Sequence, residues 1–159
     1  MSRKLLAAVC VALAIITIFA GTHLFLKDDT QHLAIQLQPD NQELVALGAD
    51  LYAENCAACH GAQLEGQLNW RQRNADGRLP APPHDETGHT WHHPDDYLFF
   101  MTKFGLERMI GKRYPNNMPA FEGSLSDEEI QATLSFIKST WPEEIRRRHD
   151  RINQQNALQ

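Results

Sequence analysis

Residues 55–61 read Asn-Cys-Ala-Ala-Cys-His-Gly, and the pentapeptide Cys56-Ala57-Ala58-Cys59-His60 decides how the rest of the chain is read. Two thiols three positions apart on one helical turn reach the two vinyl groups on one edge of a porphyrin. The adjacent His60 then offers an imidazole to the iron, so C-x-x-C-H is an attachment signature for c-type haem. A disulfide or a thioredoxin-like dithiol has no use for the neighbouring histidine, and no βαβ pattern surrounds the pair. A structural zinc site needs further ligands at similar spacing. The third of the three cysteines, Cys10, lies far away in an apolar run, where a thiol is a small hydrophobe.

Upstream of the motif, apolar or small residues at Leu44, Leu47, Gly48, Leu51 and Tyr52 predict a helix over 43–55. Downstream, residues 61–93 have no period and are rich in Gly, Pro, His and Asn. A loop that long inside a domain needs a reason, and wrapping a cofactor supplies one. Pro94, then Asp95 and Asp96, open a second helix that Gly105 stops, with Tyr97, Phe100, Met101 and Phe104 as its apolar face. Residues 106–123 read as loop. Ser126 followed by Glu129 is a capping box for a last domain helix burying Ile130, Leu134, Phe136 and Ile137, and Pro142 closes the domain. In the tail 143–159, Glu143 and Glu144 precede Arg147 and Arg148 by four residues, the spacing of a short solvated helix. No strand is expected.

The iron needs a sixth ligand, and four methionines are available. Met1 is terminal, Met101 reads as a core residue, and Met109 sits in a loop without turn chemistry. Met118 is followed by Pro119 and preceded by Tyr114-Pro115-Asn116-Asn117, a backbone stiff enough to hold a thioether in place. Met118 is the preferred ligand, with His93 and Met109 as alternatives.

Residues 44–141 resemble a class I cytochrome c through GADLYAENCAACHGAQLEG, PDDYLFFMTKFG and NNMPAFEGSLSDEEIQATLSFIKSTW. The resemblance implies an all-α fold of three to four helices around one covalent haem c, bound through Cys56 and Cys59. It implies close crossing of the first and last helices at Gly48, Tyr52 and Phe136. It also implies that a proline carbonyl orients the ligand histidine, here Pro82 or Pro83 of PAPPH, with Pro82 preferred. Trp91, or a histidine beside it, is expected to meet a haem propionate. One departure is the histidine-rich stretch HDETGHTWHHPD: His84, His89, His92 and His93 are imidazoles that suit a metal such as copper.

The N-terminus differs in kind. After Arg3 and Lys4, Leu5–Leu26 runs for 22 residues without a formal charge, enough to cross a hydrocarbon core of about 30 Å as a helix. The chain therefore divides into a membrane anchor (1–26), a polar linker (27–41), a haem domain (42–142) and a polar tail (143–159). The basic N-terminus keeps itself cytoplasmic and exports the rest, as in a single-pass protein of a bacterial inner membrane with its haem domain in the periplasm. The alternative is a signal cut near Gly21, which frees a soluble periplasmic protein.

The chain has 159 residues, 42% hydrophobic and 22% charged, with net charge −5. That is one globular domain without the basic stripe a nucleic-acid partner requires. No Ser–His–Asp arrangement, phosphate loop or paired-carboxylate site appears. The leading expectation is an electron carrier working between redox proteins, a donor and an acceptor. Two other readings stay open: a haem sensor or peroxidase with a labile methionine, and a copper-handling protein built on the histidine loop.

Overall fold

A computed structural model describes residues 35–158. The expected anchor and the first part of the linker lie outside the described residues. Among the described residues no helix is long and apolar enough to cross a membrane. They form helices α1 (Gln42–Asn55), α2 (Ala57–His60), α3 (Asp95–Phe104), α4 (Leu106–Ile110), α5 (Asp127–Ser139) and α6 (Glu143–Asn156), with a 3-10 turn at Thr90–His92. No strand occurs among them, only an isolated bridge between Glu122 and Leu125.

The boundaries follow local chemistry. The Asn41 side chain accepts from Leu44 N at 3.2 Å at the start of α1. At the start of α5 the Ser126 hydroxyl accepts from Glu129 N, and the Glu129 carboxylate accepts from Ser126 N at 2.7 Å, so two otherwise orphaned donors are satisfied reciprocally. α3 starts after Pro94 and stops at Gly105, whose φ of +82° a side chain would oppose.

The principal helix pair is α1 against α5. Gly48 makes it possible: a Cβ there would run into the Ala132 carbonyl and lie 2.9 Å from Phe136 Cβ. Tyr52 packs on Phe136 with ring centroids 5.5 Å apart. Around this crossing Tyr52, Leu98, Phe99, Ile130, Leu134, Ile137 and Trp141 are buried.

Three expectations change. The buried face of α3 is Leu98, Phe99 and Thr102, while Tyr97, Met101 and Phe104 are half-buried and Phe100 is exposed. The helix is apolar on two sides, so periodicity alone does not choose between them. The segment after Gly105 is not all loop: α4 fills 106–110 and ends at Gly111 in the left-handed region. Finally, linker residues 35–41 join the domain. Leu37 is buried, its N–H donates to Asp95 Oδ2 at 2.9 Å, and Gln38 N–H donates to Ser135 Oγ at 3.0 Å.

The C-terminal tail is a seated helix rather than a solvated one. The ion pairs Glu143–Arg147 (3.3 Å) and Glu144–Arg148 (2.6 Å) line its outer face. Inside, His149 is fully buried, and its Nε2–H donates to the His93 carbonyl at 2.9 Å. Asn153 Oδ1 accepts from Asp95 N at 2.8 Å, so α6 caps the start of α3. Lys138 bridges Asp150 (2.7 Å) and Asp95 (3.9 Å) beside it.

Burial, then the Lys138 ammonium, lower the pKa of His149 below its ordinary 6.5. A base with a depressed folded pKa binds its proton more readily when unfolded. This site therefore costs nothing well above pH 6.5 and destabilises the fold as pH falls below it. The slope for one proton is at most about 1.4 kcal/mol per pH unit. Urea midpoints measured between pH 7.5 and pH 5.5 should fall in the parent and fall less in His149→Phe.

Candidate functional site

Cys56 ends α1 and begins α2. The bonds Cys59 N→Cys56 O (3.1 Å) and His60 N→Cys56 O (2.9 Å) wind the motif into one helical turn. Neither cysteine is in a disulfide; Cys56 is half-buried and Cys59 exposed. Burial, and then the neighbouring Cys59, push the Cys56 thiol up to about 11, so it is held protonated rather than as a thiolate.

His60 is buried, and its Nδ1 lies 2.8 Å from the Pro82 carbonyl oxygen. A carbonyl can only accept, so Nδ1 carries the proton and Nε2 keeps its lone pair for another partner. Burial lowers the His60 pKa, and the Pro82 bond partly opposes that shift. The segment that brings Pro82 here is pinned to the turn after the motif. Gly66 N donates to His60 O at 2.8 Å, Gln67 N to Ala81 O at 2.9 Å, and Ala81 N to the Gln67 side chain at 2.9 Å. Gly66 has φ +67°, and a Cβ there would lie 2.6 Å from the Pro82 carbonyl carbon. No other residue type lets the two segments approach so closely.

Met118 is half-buried against the core, as are Cys56, Trp91 and Met101. Its loop is tied at several points: Asn116 Nδ2 donates to Tyr114 O at 2.8 Å, Phe121 N to Thr102 O at 3.1 Å, and the Arg73 guanidinium lies over the Tyr114 ring at 5.2 Å. Met109 lies on α4 and not in a loop, because Gly105 and Gly111 bound a short helix there.

Trp91 donates its indole N–H to the Glu86 carbonyl at 3.3 Å and stacks on His92. The indole donor expected to meet a propionate thus has a backbone partner. Among the described residues no group of three or more His, Cys, Asp or Glu side chains is arranged to hold a metal ion. The rings lie instead against neighbouring aromatic side chains, and His89 and His93 meet edge-on with centroids 5.4 Å apart. His89 stacks on Trp70, His93 on Tyr97, and His84 on His60.

His84 is the residue whose place sequence reasoning missed. Its Nδ1 is 2.8 Å from Thr90 Oγ1, its N–H donates to Leu64 O at 2.7 Å, and its carbonyl accepts the Trp141 indole N–H at 2.7 Å. Burial, and then His60, hold it neutral, with a pKa well below the ordinary range. The available signal was position: residue 84 lies two beyond the proline that reaches His60, in the same extended segment.

Two unbridged cysteine sulfurs on one turn, an imidazole protonated at Nδ1 and a thioether at the edge of the same core form a donor set that fits a covalently attached haem. A protein-family model described as cytochrome c matches residues 45–141. No curated protein and no solved structure matched the chain.

Proposed function

Because the chain belongs to the cytochrome c family, we propose that it is a mono-haem carrier of single electrons between redox proteins, in which His60 and Met118 would hold the haem iron. Haem c is held covalently through Cys56 and Cys59, and when bound it supplies a one-electron iron couple.

The observation that carries this reading is the 2.8 Å contact between His60 Nδ1 and the Pro82 carbonyl. It keeps the proton on Nδ1, so the lone pair of Nε2 would be available to the metal and the ligand would be more basic. Support for Met118 comes from its half-buried position and its tied loop. A thioether from Met118 on the iron would favour the ferrous state, raise the potential and exclude oxygen or peroxide. These residues therefore serve transfer rather than catalysis.

A reductive titration of the purified holoprotein tests the carrier role. One electron per chain and a one-electron Nernst slope are expected. A multi-electron slope, or a couple that does not return on reoxidation, would contradict it.

We also place the haem domain in the periplasm, tethered to a bacterial inner membrane by Leu5–Leu26 behind Arg3 and Lys4. The full chain should then sediment with membranes and resist salt extraction. A mature N-terminus near Gly21 by mass spectrometry would instead indicate a soluble carrier. Its donor and acceptor are redox proteins of the same compartment, met through small, weak contacts.

A further inference from the structure

The ring of His84 lies over the ring of His60, with centroids 4.0 Å apart and planes within 21° of parallel. We propose that His84 is a positioning residue that fixes the rotation of the His60 imidazole, and through it the electronic state of the redox centre. The inference rests on His60 being an axial ligand.

A ring held only through Nδ1 by the Pro82 carbonyl can still rock about that hydrogen bond. A flat neighbour across its face removes this freedom, provided the neighbour itself is fixed. His84 is fixed at three atoms: its backbone N–H bonds to Leu64 O, its Nδ1 to Thr90 Oγ1, and its carbonyl to the Trp141 indole N–H, at 2.7, 2.8 and 2.7 Å. Thr90 and Trp141 are both buried, so the anchors are themselves held by the core. The Tyr52 ring meets His84 edge-on at 6.3 Å, closing another side. An aliphatic side chain of similar size would fill the space without offering a plane to stack on. Ligand orientation matters because the imidazole π orbital overlaps the iron d orbitals differently at each rotation. Groups that orient a metal ligand in this way tune the metal they never touch.

The test uses ferric holoprotein of the parent and of His84→Leu, His84→Phe and Thr90→Val, measured by low-temperature electron paramagnetic resonance together with the reduction potential. His84→Leu should displace and broaden the low-spin g values and shift the potential. His84→Phe, which restores a flat ring without nitrogen, should return both toward the parent. Thr90→Val keeps the stack but releases its tether, so it should broaden the signal with a smaller displacement. It also reads the effect if the leucine variant does not fold. A merely structural role would lower melting temperatures while leaving the g values at the parent position. Parent-like g values in both His84→Leu and Thr90→Val, or a phenylalanine variant no closer to the parent than leucine, would overturn the role of His84 alone. A parent without a low-spin signal would overturn the axial-ligand reading and this inference together.

Discussion

Replacing Cys56 and Cys59 together by alanine is expected to give a chain with no haem-stained band after denaturing gel electrophoresis, where the parent stains strongly. Covalent attachment depends on these two sulfurs, which lie on one turn wound by the Cys56 carbonyl. Each single variant keeps one thioether site, so weaker staining should survive in Cys56→Ala and in Cys59→Ala. The double variant should also lose helical signal on mild heating. Apart from the turn at Thr90–His92, residues 61–94 contribute no helix, and so few local contacts leave that segment dependent on what it wraps. A stained band in the double variant would contradict the attachment.

Met118→Ala carries the second large effect. Removing the thioether should open the iron, allow the reduced protein to bind carbon monoxide and lower the reduction potential. Met118→His should also lower the potential, but through a six-coordinate, bis-imidazole centre that stays closed to carbon monoxide. Met101→Leu is the control, because Met101 is likewise half-buried against the core. This volume-conserving change should leave the potential in place and cost less than about 1.5 kcal/mol of stability. If Met101→Leu opened the iron and Met118→Ala did not, the two methionines would have to exchange roles.

What the sequence reveals and what it hides divide along physical lines. Signals carried by a few neighbouring residues were legible. The reciprocal Ser126–Glu129 cap, the Pro94 and Gly105 limits of α3, the Glu–Arg pairs of α6 and the spacing at Cys56, Cys59 and His60 all involve partners within one helical turn or at its ends. Hidden features depend on partners far apart in the chain. The seat of α6 is made by His149 on the His93 carbonyl and Asn153 on Asp95, 56 and 58 residues away. In sequence those residues look like any solvated polar helix. The face of α3 assigned from sequence, with Phe100 on it, was the wrong one, because apolar side chains occupy two sides of the helix and Leu98, Phe99 and Thr102 are the ones buried. His84 was grouped with a possible metal cluster by composition, whereas Thr90, Leu64 and Trp141 hold it against His60.

Exposure of the reduced parent holoprotein to carbon monoxide distinguishes an iron closed by His60 and Met118 for electron transfer from an open one. The absorption spectrum of the parent is expected not to change, while that of Met118→Ala does. Ready binding of carbon monoxide by the parent would contradict it and put an open, sensing or peroxidatic iron in place of the carrier.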